Sequence, residues 1–160
     1  MLYQNNAGIQ GALPTNSIYF KEEAVTEILK IPTQKPDMEN ILDVLVWPEI
    51  ENVNLIETME GVSNEGQRLT GAKLVVEVRL KQKVTYVAAE ETQSVHAAHY
   101  EILKSMFVII PDRIDGRKAC DLLRSGKINV TPYIECVHFD MIDPRTIHKA
   151  VLLFLDVTIC

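Results

Sequence analysis

No apolar run in this sequence approaches the roughly 20 residues that a membrane-spanning helix needs. The opening stretch, MLYQNNAGIQGALP, has neither a basic segment nor an apolar core of signal-peptide length. A chain made and folded in a cytoplasm, without membrane insertion, is expected. Clustered Lys and Arg are missing too. The formal net charge is −6, and the longest basic run, RLKQK at 79–83, is diluted by uncharged residues. Nucleic acid is therefore not an expected partner, because neutralising phosphates takes clustered cations. Cysteine is sparse: Cys120, Cys136 and Cys160, an odd number with no CxxC. An internal disulfide framework is not expected. Three free thiols are the plain reading. The sharper one is a bridge between subunits through Cys120 or Cys160, since an unpaired thiol in an oxidising place tends to pair with another molecule.

The usual signatures of chemistry are also lacking. There is no GxSxG elbow, and no cysteine stands before a helix with a recognisable base. EGVSNEGQRLTG holds three glycines but lacks the lysine of a phosphate-binding loop and lies between strand-like segments, so it reads as a hairpin loop. His96 and His99 form an HxxH, but in a strand, positions three apart face opposite ways and cannot share a metal. Cys136 and His138 would share a face, which is half a ligand set. No catalytic, cofactor-binding or metal-ligating residues are assigned, and no enzyme is expected.

What the sequence does contain is strand signal. At 160 residues one domain is expected. In AKLVVEVRLKQKVTYVA the even positions Leu74, Val76, Val78, Leu80, Val84 and Tyr86 are apolar and most odd ones are charged, with Gln82 the exception. That alternation predicts a long half-buried strand. NVNLIETMEG and VHAAHYEILKSMFVIIP read as further strands, the second straight or bent. INVTPYIECVHFDMI has an internal proline and reads as an edge or bulged strand. The last segment, RTIHKAVLLFLDVTIC, is apolar on both faces midway. Leu152 and Phe154 add to the odd-numbered stripe, which suits a central strand or one buried in an interface. SIYFKEEAVTEILKIP fits either a helix or two extended pieces, and Lys118 to Arg124, between glycines, fits one helical turn.

The segment KPDMENILDV carries three carboxylates, Asp37, Glu39 and Asp43. The alternating oxygen ligands and distant Glu of a calcium loop are absent. Met38, Ile41, Leu42 and Leu45 recur at i, i+3, i+4 and i+7 after Pro36, which predicts a short amphipathic helical turn capped by its acids. The expected fold is all-β: an antiparallel, jelly-roll-like β-sandwich over residues 17–160, with one short connecting helix and an extended arm at 1–16.

Four segments, IPTQKPDMENILDV, GAKLVVEVRLKQKVTYVAAEETQSVHAAHYEI, FVIIP and IECVHFDMIDPRTIHKAVLLFLDVTI, together resemble the SPOCS domain of clostridial spore formers. The similar elements are the KPD-x-E-x-IL turn, the YVA…QSVH strand–turn–strand and the DPR turn before the last strand, in the family's order from about residue 30 to 160. The resemblance implies a non-enzymatic spore-envelope protein of coat, exosporium or surface appendage, made in the mother-cell cytoplasm. Self-assembly by arm exchange is the leading expectation, with Leu2, Tyr3, Ile9 and Leu13 as arm anchors and Leu152 and Phe154 on an interface strand. The alternative is an adaptor that recruits another spore-coat morphogenetic protein.

Overall fold

The computed structural model describes residues 5–7 and 13–160, with the first of these segments described through its backbone. The strands are β1 (Asn5–Ala7), β2 (Tyr19–Lys30), β3 (Met38–Val62), β4 (Arg68–Ala88), β5 (Val95–Pro111), β6 (Arg113–Ile114), β7 (Arg117–Lys118), β8 (Ile128–Asp143) and β9 (Thr146–Ile159), with one helix, α1 (Ala119–Arg124), among the described residues. A four-stranded sheet in the order β1-β8-β9-β2 packs on a three-stranded sheet in the order β3-β4-β5, and β6 and β7 form a small hairpin. Neighbouring strands in the sheets are antiparallel. The fold is an all-β sandwich. β3 lies near β8 at one side and β5 near β2 at the other.

The alternation in β4 is realised throughout: every even residue from Ala72 to Ala88 is buried and faces the other sheet. From β9, Ile147, Val151, Leu153, Leu155 and Val157 meet them. Fully burying a side chain of this kind contributes about 1.5–3 kcal/mol, so these two central strands hold much of the core. β9 is central, between β8 and β2, which accounts for its two apolar faces.

The 38–45 segment is not a helical turn, and this corrects the expectation. It is the start of β3, and it carries register shifts between Met38 and Asn40 and between Ile41 and Asp43. Each shift adds a residue to one strand, so inward positions fall three apart instead of two. Met38, Ile41, Val44 and Val46 point into the core, while Leu42 is 51% exposed. Two bulges in a row imitate helical spacing in the sequence.

β2 resolves the ambiguous segment as one strand paired with β9 along its whole length. Its alternation is hidden because Lys21, Glu23 and Glu27 lie on the same side as the buried Val25 and Leu29, while Phe20 and Ile28 face outward. Charged residues turned inward on an edge strand discourage pairing with another chain.

The helix sits where Lys118–Arg124 predicted one turn. Ala119 and Leu122 are buried and close one end of the sandwich. Gly126, at φ +73, ends it. Lys127 N–H donates to Leu122 O (2.9 Å) and Gly126 N–H to Leu123 O (3.1 Å), the pairing of a Schellman cap that glycine adopts without a Cβ clash.

Candidate assembly interface

Three distant sequence motifs meet at one end of the sandwich. Arg145, in the DPR turn, donates to Asp37 Oδ1 (2.7 Å) and to the carbonyls of Pro32 (2.8 Å), Ile31 and Lys35 (both 3.2 Å). Met38 N–H donates to Pro144 O and Ile31 N–H to Arg145 O. From the YVA segment, the buried Tyr86 donates its hydroxyl to Pro36 O (2.9 Å), and burial raises its pKa above the usual tyrosine value. Asp37 thus acts as the partner of Arg145 rather than as a helix cap, and Glu39 accepts from Gln93 (2.9 Å). The planar guanidinium with its fan of donors suits several carbonyls and one carboxylate at once. Asp143, accepting the Arg145 N–H at 2.8 Å, is held below the usual aspartate range by that bond.

His96 and His99 do lie on opposite faces. His96 stacks on the inward Tyr86 (5.8 Å between centroids) with Ser94 Oγ 3.0 Å from its Nε2, while His99 pairs in register with Lys83 on the outside. Cys136 and His138 share the outer face of β8, where Asp140 Oδ2 is 3.1 Å from His138 Nε2.

A polar cluster lies between the sheets. Lys149, fully buried on β9, donates to Gln82 of β4 and, at 3.4 Å, to Glu27 of β2; Gln82 in turn donates to Glu27 (3.1 Å). Burial lowers the pKa of Lys149, against the pull of Glu27. Gln82, the exception in the β4 pattern, is therefore the link that closes this ring.

The arm is docked on its own domain over a short stretch. β1 adds to the free edge of β8 with Asn5 opposite Phe139, Asn6 opposite His138 and Ala7 opposite Val137. The landing site is bounded. Upstream on β8, a register shift between Ile134 and Cys136 and then Pro132, which has no N–H to give, interrupt the edge. Downstream a second shift follows Met141. The strand is not bulged at its proline, which pairs in register with Leu155; the bulge falls at Ile134–Cys136, and the two together confine strand addition to a few residues. Of the arm anchors named from the sequence, Leu2, Tyr3 and Ile9 lie outside the described residues, and Leu13 is half-buried.

The interface-strand residues sit on the outer face of the four-stranded sheet. Phe154 is only 8% exposed there; it stacks on Phe20 (5.4 Å) and meets Tyr133 edge-on (6.2 Å), with Leu152 half-buried beside it. The cross-strand partners of Phe154 are Glu22 on β2 and Tyr133 on β8, so the aromatic contacts follow from register. Cys120 is half-buried on α1 and Cys160 is exposed, its Sγ 3.0 Å from Asn129 Nδ2; the three cysteines are unpaired within the chain. Sequence reading missed Arg145 and the Phe20–Phe154–Tyr133 cluster, because both depend on strand register.

The SipL, SPOCS domain family matches residues 37–142, two thirds of the chain; the match takes in Asp37 and the Tyr86 strand, and the DPR turn at 143–145 follows directly after it. The chain belongs to the SPOCS-domain family. That membership points to a spore-associated role. No curated protein and no solved structure matches the chain. Among the described residues no helix of this SPOCS domain is long and apolar enough to cross a membrane.

Proposed function

We propose that this SPOCS domain is a structural, non-enzymatic subunit of the endospore envelope that assembles with copies of itself. It acts in the coat, exosporium or an appendage, after synthesis in the mother cell. The observation that carries the reading is the three-residue ladder between β1 and β8. So short a strand adds few hydrogen bonds, and the arm of a neighbouring copy can make the same ones. Exchange of identical elements conserves the contacts and changes only which chain supplies them. A head-to-tail exchange of this kind propagates into a filament or lattice unless it closes into a ring. The inward charges of β2 disfavour the opposite edge and leave β8 as the favoured acceptor.

The adaptor reading is favoured by a different observation. Glu39, Glu90, Glu91 and Gln93 line a groove of about 480 Å³ beside the converging motifs, a surface suited to a basic segment of another spore protein.

Removal of residues 1–12 tests the first reading. Growth through the arm should be lost, and the assemblies of the full chain should shrink in sedimentation and change form in electron micrographs. Unchanged assemblies in electron micrographs would reject arm exchange, and a full chain that is itself a small discrete species would favour the adaptor.

A further inference from the structure

Each outer face of the sandwich carries an exposed apolar patch, with carboxyls beside the one and ammoniums beside the other. On the four-stranded sheet, Phe20 is 51% exposed and continues the Phe154–Tyr133 cluster. Next to it lies Glu135, whose pKa is raised by burial and by the neighbouring Glu22. Among the described residues neither carboxyl is in an ion pair with a Lys or Arg. On the three-stranded sheet, Phe107 and Ile109 of β5 are each more than two-fifths exposed, and Ile56 lies two strands across, joined through Lys73 by register. The ammonium of Lys73 sits 4.9 Å from the Phe107 ring centroid, and that of Lys21, on the neighbouring edge strand β2 of the other sheet, reaches to 5.1 Å. These two cations also have no carboxylate partner among the described residues, whereas Arg79 and Lys81 farther along are paired with Glu51, Glu101 and Glu49.

We propose that the outer face of the four-stranded sheet in one copy packs on the outer face of the three-stranded sheet in the next, Phe20, backed by Phe154, against Phe107 and Ile109, with Glu22 and Glu135 opposite Lys21 and Lys73. The occupant of each face is a second copy of this chain, and the proposal rests on the self-assembly reading above. Charge selects this pairing. Like patches set face to face would bring four carboxyls together at the one, and at the other the Lys21 and Lys73 ammoniums of two copies, offset only in part by Glu77 of β4. The mixed contact gives Glu22 and Glu135 a counter-charge. The aromatic rings supply the water-excluding centre of the contact and the charges its register. Because the two faces differ, each copy keeps one free face after binding, so the contact repeats as a stack. It uses neither the β8 edge nor the arm, and it adds a second direction of growth.

Zero-length carbodiimide cross-linking of mixed light- and heavy-nitrogen copies of the full chain tests this. Peptides joining Lys21 or Lys73 of one copy to Glu22 or Glu135 of another are expected. Phe20→Asp and Phe107→Asp, both at exposed positions, should each lower their yield about tenfold or more, as for loss of an interface anchor, with unchanged circular dichroism. Mixing heavy Phe20→Asp with light Phe107→Asp should restore the link in one direction only, heavy lysine to light glutamate. A parent chain without the link, a yield that neither substitution lowers, or equal linking in both directions would overturn the proposal. The chain lacking residues 1–12 separates the two readings. That shortened chain should keep the link and lose only the arm-dependent direction of growth; assemblies of unchanged form there reject arm exchange alone, and arm-dependent assemblies without the link reject this contact alone.

Discussion

Arg145 and Asp37 stand 108 positions apart in the sequence and form an ion pair at 2.7 Å. Through it and three carbonyls, one side chain ties the turn before β9 to the segment that leads into β3. The contact joins the two sheets at one end, since β9 and β3 belong to different layers.

Replacing Arg145 with Ala should cost about 2 kcal/mol, in the range for lost hydrogen bonds to a charged group and partly buried carbonyls left without a donor. Arg145→Lys should recover only part of this, because an ammonium cannot reach four acceptors in one plane. Urea unfolding of the three proteins checks both statements.

Asp143 gives the same turn an acid dependence. Its pKa is lowered in the folded chain, chiefly by the Arg145 N–H. A group depressed on folding stabilises above its unfolded pKa, and that contribution disappears as pH falls through the folded value. Asp143→Asn should therefore be less stable than the parent near neutrality, and the difference should shrink as the pH drops below the ordinary aspartate range. Thermal melts across pH 7 to about pH 2 would show the two curves converging.

The bulges in β3 separate two neighbouring side chains. Ile41→Ala, at a position 5% exposed, should cost about 2–4 kcal/mol, whereas Leu42→Ala, at 51%, should cost less than about 1. On the helical turn expected from the sequence both would have anchored the segment. Equal losses in chemical denaturation would contradict the bulged strand.

Lys149→Met, taken alone, should destabilise by about 3 kcal/mol, because Glu27 loses its cation partner between the sheets and Gln82 loses its donor. Adding Glu27→Gln and Gln82→Leu should return most of the loss, since the ring is then apolar or neutral. The lowered Lys149 pKa has its own signature. Its charged form is disfavoured in the folded chain, so the parent should gain stability relative to Lys149→Met as pH rises from the lowered value toward the ordinary lysine one. Denaturation midpoints of the parent, the single and the triple variant between neutral and alkaline pH decide this.

Cys160, exposed, and Cys120, half-buried on α1, are free within the chain. Assembled protein under oxidising conditions should run as a ladder on non-reducing gels, collapse with reductant, and shorten to monomer in Cys160→Ser. A single monomer band in both lanes would rule out bridging between subunits.

Alternation by itself determined much of this protein. The period of two in β4, the two-faced apolar β9 and the proline in β8 are local properties of the chain, and a strand has few other ways to place them. The helix at Ala119–Arg124 was legible for the same reason, bounded by glycines that permit a cap. Where bulges changed the period, as at Met38–Val46, local pattern misled. Where an edge strand turned its charges inward, as in β2, the pattern vanished. The Arg145 clamp, the Lys149–Gln82–Glu27 ring, the aromatic cluster around Phe154 and the landing of the arm on β8 were decided only by tertiary structure. Each joins residues brought together by strand register between distant segments, and register follows from how whole faces fit, which no single stretch of sequence contains.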